Sequence, residues 1–140
     1  MLTIQYGMRA NRLPSRAKLR AWARAALRRD AQLTLRIAGA REARQLNHRF
    51  RGKNYATNVL TFVYREHHPL QGDIVLCAPV VAREARRRGI GADAHYAHLI
   101  VHGVLHLQGH DHLRAREARR MEQRETRILA RLGYADPYQA

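Results

Sequence analysis

Between Asp93 and Leu107 the chain reads Asp-Ala-His-Tyr-Ala-His-Leu-Ile-Val-His-Gly-Val-Leu-His-Leu. Ile100, Val101, Val104, Leu105 and Leu107 would cover much of a helix's circumference. A helix apolar on so many sides must be wrapped by other elements, so this segment is predicted to be central and buried. Asp93 suits its N-cap. The same segment carries His102 and His106, four residues apart and therefore on one face, roughly 5–6 Å apart at Cβ. Gly109 follows, the residue most able to end a helix through a left-handed turn, and His112 comes back just beyond it. Two imidazoles one turn apart and a third returned by a bend can hold one metal ion at about 2.0–2.1 Å. Three protein ligands leave a fourth tetrahedral position for water, the layout of a catalytic rather than a closed structural zinc site. Three hydrogen-bonded core histidines are the competing reading, which the reversing glycine disfavours.

The other segments fit around this helix. Leu2, Ile4 and Tyr6 alternate with polar residues, as do Leu33, Leu35 and Ile37 within 32–38, and both patterns predict half-buried strands. Pro14-Ser15 opens an amphipathic helix on Leu19, Trp22, Ala23, Ala26 and Leu27. A second helix is expected from Arg41 to Phe50, with Ala43, Leu46 and Phe50 inward. Residues 51–58 read as a polar loop, then Val59–Tyr64 as a strand rich in β-branched and aromatic residues. A polar link containing His67, His68 and Pro69 leads to a strand at 73–77, an antiparallel neighbour. Asp73 is expected to form the turn that opens it. Pro79 starts a helix to Arg88, closed by Gly89 and Gly91. Ala118, Met121, Ile128, Leu129 and Leu132 mark a last helix capped by Gly133. The order β-α-β-α-β-β-α-α-α predicts an α+β domain: a small mixed four-stranded sheet packed with about five helices, the metal motif on the central one.

At 140 residues the chain is read as one domain, 1–140. Its 26 basic against 11 acidic residues give a net charge of +15, nearly all from arginine. Such an excess favours a polyanionic partner, since each neutralised phosphate releases a counterion. Cys77 is the lone cysteine, which rules out an intrachain disulfide and suggests a reducing compartment. No run of about 18 apolar residues suggests a membrane span, and a cytoplasmic location is expected. Few aromatics are interleaved with the basic residues, which gives base stacking little support and favours binding through shape and backbone. His98 is read as core or as a support to the ligands; His48, His67, His68 and His95 are read as surface residues. Arg86, Arg87 and Arg88 and the arginines from Arg114 to Arg131 read as solvated faces that also suit phosphate contacts.

The histidine spacing is similar to the extended zinc signature of metzincin proteases, but Gly103 stands where those enzymes carry their glutamate base. The full string His102-Gly103-Val104-Leu105-His106-Leu107-Gln108-Gly109-His110-Asp111-His112 resembles instead the signature of the YbeY family. Leu46-Asn47 through Arg51, Thr57-Asn58-Val59-Leu60-Thr61-Phe62, Gly72-Asp73-Ile74-Val75 and Leu132-Gly133-Tyr134-Ala135-Asp136-Pro137-Tyr138 match it in order. It departs at His110, Ala56 and Asn54, where Tyr, Pro and Asp are usual. The resemblance implies a single-strand-specific endoribonuclease acting in ribosomal RNA maturation, at the 3′ end of the small-subunit rRNA, and in ribosome quality control. It implies one zinc ion on His102, His106 and His112, and a functional Arg51. The expected partners are ribosomal RNA, the small ribosomal subunit and ribosome-associated proteins. Arg51, with its planar fork, suits the charge of a phosphodiester transition state. Arg51, Lys53, Arg86, Arg87 and Arg88 are the candidate RNA contacts. The general base stays open among metal-activated water, Asp111 and the substrate's 2′-hydroxyl. A ribosome-associated RNA-binding factor with a mainly structural metal, and a metal-dependent peptidase or amidase, are the alternatives.

Overall fold

The computed structural model describes residues 1–66, 69–109 and 115–139. His67, His68, His110, Asp111, His112 and Arg114 lie outside them. Four strands, β1 (Leu2–Tyr6), β2 (Ala31–Ala38), β3 (Val59–Arg65) and β4 (Leu70–Cys77), form one sheet in the order β1-β2-β4-β3. β1, β2 and β4 run parallel, and β3 closes the edge antiparallel to β4. The expected mixed four-stranded sheet is therefore present. Asp73 departs from expectation. It lies inside β4, because Leu70 and Gly72 extend the pairing with Ala31 and Leu33, and it accepts the Tyr64 hydroxyl at 2.8 Å.

Five helices complete the α+β fold: α1 (Arg16–Ala26), α2 (Ala40–Arg51), α3 (Ala78–Arg88), α4 (Ala92–Leu107) and α5 (Ala115–Arg131). α4 is the hub, packed against α1, α3, α5 and β3, with Ile100, Val101, Val104 and Leu105 fully buried. Its N-cap is Gly91 rather than Asp93. Asp93 sits in the first turn, where a negative charge suits the helix's positive end, and pairs with Lys18 at 2.7 Å. Leu33, Leu35, Ile37, Ile74 and Leu76 form a common core with residues of α1, α4 and α5. The opposite face carries α2, whose Leu46 packs on Ala38, Leu60 and Val75.

Two glycines set how closely the layers approach. A Cβ at Gly103 would lie 3.3 Å from Ile74 Cδ1 and 3.4 Å from Thr61 Cγ2, so its bare backbone lets α4 rest against β3 and β4. A Cβ at Gly72 would come within 2.7 Å of the Phe62 carbonyl oxygen.

α2 differs from its sequence reading at its C-terminal end. Phe50 is 57% exposed and Asn47 takes the buried position, its side chain donating to the Tyr55 carbonyl at 2.9 Å. Ala43 and Asn47 stack one turn apart on the inner face, and a buried amide is tolerated because the loop satisfies it. Arg51 is the last residue of this helix, so the loop begins at Gly52, which is left-handed (φ 71°). His95, expected at the surface, is buried. Its Nε2 meets Glu84 at 2.9 Å, and Glu84 also accepts from Asn58 at 3.0 Å, tying α4 and α3 to the end of the 52–58 loop.

We expect Gly72→Ala to cost about 1–3 kcal/mol, because the clash is with backbone that cannot rotate away; a lower urea midpoint at unchanged slope would show it. The His95 cluster predicts sensitivity to acid. Burial holds His95 below the ordinary imidazole value of 6.5, Glu84 offsetting only part of this. Neutral His95 is thus the folded form, and its contribution declines as pH falls through the unfolded value toward the folded one. Burial would raise Glu84, but the bonds from His95 and Asn58 and nearby positive charge hold it below its ordinary value. Its contribution is likewise present at neutral pH and lost on acidification. His95→Gln, which keeps a donor for Glu84 but cannot be protonated, is expected to give a flatter urea midpoint between about pH 7 and pH 5.

Candidate functional site

One side of α4 is a ladder of imidazoles. His95, His98, His102 and His106 follow at steps of three, four and four residues, with successive ring centroids 6.2, 6.4 and 6.5 Å apart. His102 and His106 lie parallel, their planes 7° apart, as expected of residues one turn apart on one face. α4 ends at Leu107, and Gly109 takes the left-handed conformation (φ 94°) expected of the reversing residue. His112 and Asp111, the other members of the candidate set, fall outside the described residues.

Behind the ladder lies a carboxylate the sequence reading did not single out. Glu125 of α5 is fully buried; one of its oxygens binds His102 Nδ1, and the other binds the Tyr138 hydroxyl and approaches His98 Nε2 at 3.5 Å. Burial alone would raise its pKa. The hydrogen bonds from His102, His98 and the Tyr138 hydroxyl outweigh this and bring it down to about 2. Burial and the adjacent carboxylate push the Tyr138 phenol well above its ordinary value, so it remains a donor.

An ionised Glu125 can only accept. His102 Nδ1 must therefore carry the proton, which leaves Nε2 as the ring's lone-pair nitrogen, on the side away from Glu125. A carboxylate on the second nitrogen is the usual support of a metal-binding histidine. The described pair thus fits the demands of a metal site in face and ring orientation, and His102 also in tautomer. A signal for Glu125 was present: it interrupts the apolar stripe of α5 between Met121 and Leu129, four residues from each.

The remaining candidates are more dispersed. Arg51 and Lys53 are exposed at and just beyond the end of α2, across the sheet from α4. Among the described residues, no hydrogen bond or ion pair joins Arg51 to either histidine. Arg86, Arg87 and Arg88 form the exposed last turn of α3. Arg88 donates to the Pro137 carbonyl at 2.7 Å, holding the C-terminal segment beside Tyr138. Two of the departures have ordinary roles: Asn54 accepts from Arg44, and Ala56 packs on Ala43, Cys77 and Val80.

The chain is similar to known proteins over nearly its whole length. A protein named Endoribonuclease YbeY from Aromatoleum aromaticum is 58% identical over 140 residues, covering 98% of this chain and 91% of its own. Its namesake from Nitrosomonas eutropha is 53% identical over 137 residues, covering 98% and 97%. A protein from Thermotoga maritima with a known solution structure shares the fold, with a TM-score of 0.62 at 22% identity over the whole of both chains. Residues 9–133, which contain the histidine helix, Arg51 at the end of α2 and Glu125, match the family described as Endoribonuclease YbeY, and the chain belongs to that family.

Proposed function

We propose that this protein is a zinc-dependent, single-strand-specific endoribonuclease that acts in the cytoplasm on ribosomal RNA precursors, at the 3′ end of the 16S rRNA, and in ribosome quality control. The RNA-cleaving part of this reading follows the family. The observation that supports the metal dependence is the parallel pair His102 and His106 with buried Glu125 fixing the His102 tautomer; the rRNA substrate and the role in quality control extend the family's activity. His102 and His106, with His112 as the third ligand, would hold the ion. When bound, zinc would supply Lewis acidity toward a phosphodiester oxygen and toward water at neutral pH.

The chain's own residues account for binding and orientation. Glu125 keeps His102 turned outward, and Tyr138 keeps Glu125 in place from the C-terminal segment. Arg51 presents five donors in a planar fork to the phosphodiester. Lys53 and Arg86, Arg87 and Arg88 offer backbone contacts, and the excess of positive charge makes association strongly salt-dependent. Asp111 is proposed to orient a ligand or to accept the proton. The small ribosomal subunit and proteins bound to it are the proposed partners. Gly103 argues against a peptidase on structural grounds, because its Cβ direction faces Ile74 and Thr61 of the sheet.

Purified protein is expected to cut single-stranded RNA, to stop when a chelator is added and to resume with zinc. His106→Ala is expected to remove cleavage while melting temperature and RNA affinity hold; a wild type that never cuts, with a mutant that unfolds, would favour the RNA-binding factor. Glu125→Gln is expected to weaken zinc about 10–100-fold in competition with a chromophoric chelator, with the fold retained. Unchanged zinc affinity would remove the carboxylate from the site.

A further inference from the structure

Seven large apolar side chains are exposed among the described residues, and Phe50, Tyr55, Val63 and Tyr64 come from one stretch, the end of α2 through β3. Apolar side chains exposed singly need no explanation; several together, bordered by charge, mark an interaction surface. Phe50 meets Phe62 edge-on, centroids 5.4 Å apart and planes at 70°, and the Arg49 guanidinium lies 5.3 Å over the Phe50 ring. Phe62 packs with Leu60 and Val75 on the α2 side of the sheet.

Tyr64 lies on the same side, two residues after Phe62 in the alternation of β3. The β3–β4 register shifts between Val63 and Arg65, leaving Tyr64 as the extra residue of a bulge. Its hydroxyl is fastened to Asp73, which alternates onto the Val75 side of β4, while the residue remains 66% exposed. Both exposed rings are therefore held in place before anything binds, so little side-chain freedom remains to be lost. Arg49 lies over the Phe50 ring, Arg51 follows Phe50 directly and Lys53 comes two residues later; none of the three forms an ion pair among the described residues.

Fixed rings beside unpaired cations suit a ligand with flat faces and a charged backbone. Single-stranded nucleic acid is that ligand; a duplex conceals its base faces. A protein interface would be expected to exclude charge from its centre. From this juxtaposition we infer that Phe50 and Tyr64, framed by Arg49, Arg51 and Lys53, form a platform on which bases of single-stranded RNA stack. The inference rests on the RNA-cleaving reading above and adds to it the surface that selects single strands. A base meets the Arg49 guanidinium plane or, once that side chain turns to a phosphate, the Phe50 ring itself.

The test is fluorescence anisotropy of the full chain with labelled RNA of about twelve nucleotides, single-stranded or as a duplex, in chelator so that nothing is cut. Phe50→Ala and Tyr64→Ala are each expected to weaken single-strand binding about tenfold, leave duplex binding and the salt slope unchanged, and retain the wild-type melting temperature within a few degrees. Phe50→Trp is expected to restore affinity, which a purely structural role would not predict. Arg49→Ala should instead flatten the salt slope. Alanine variants that bind single strands like wild type, or lose single and double strands equally, overturn the platform even if the wild type cleaves RNA. Self-association that falls in Phe50→Ala while RNA affinity holds would assign the patch to a protein contact and overturn it too. A wild type that neither binds nor cuts RNA overturns both readings.

Discussion

A buried carboxylate is expensive, and Glu125 has no solvent exposure at all. Removing an ion from water costs several kcal/mol even after the protein relaxes, so Glu125 needs every bond it makes to His102, His98 and Tyr138. Replacing such a group by an apolar one of similar size is often neutral, or stabilising by about 1–4 kcal/mol. A leucine at this position would continue the stripe of Met121 and Leu129. Stability therefore does not explain the carboxylate. What it does is join α4, α5 and the C-terminal segment at one point and turn one histidine ring to a fixed face.

The rest of the fold serves that point. α4 has to be central to be held on every side, yet it must leave one stripe polar for the imidazoles. Gly103 reconciles these demands: with no side chain on the sheet side, the helix sits close to β3 and β4, and the histidines are carried on a helix the core immobilises. The two carboxylates on the ladder play different parts. Glu125 meets His102, the candidate ligand, and His98 beside it, whereas Glu84 meets His95 and, through Asn58, fastens the loop that begins beyond Arg51. One helix thus organises both the candidate centre and the loop carrying its basic residues.

Much of this was legible in the sequence, because it depends on periodicity and punctuation. The element order, the buried Ile100–Leu105 face, the Pro79 helix start and the Gly109 turn each follow from local chemistry that no distant contact overrides. Three failures share one cause: a polar residue satisfied by a partner elsewhere in the chain looks exposed until that partner is known. His95 is inside because Glu84 meets it, and Asn47 because the Tyr55 carbonyl does. Glu125 is the same case at larger stake, its partners lying 13 and 23 residues away. Phe50 is the converse. Its spacing from Ala43 and Leu46 points inward, but the sheet beneath the end of α2 offers only the edge of Phe62.

That converse case also changes how the positive charge is understood. A net charge of +15 explains attraction to any nucleic acid, single or double, and weakens uniformly with salt. It cannot by itself distinguish strandedness, since every phosphate resembles every other. Discrimination requires contact with something a duplex hides, and base faces are the largest such surface. Sequence composition alone suggested too few aromatics for this, but what matters is where they stand: Phe50 and Tyr64 are exposed and held, with the Arg49 guanidinium over Phe50, beside the bulge in the β3–β4 pairing. Diffuse charge would gather the RNA, and the fixed rings would sort it.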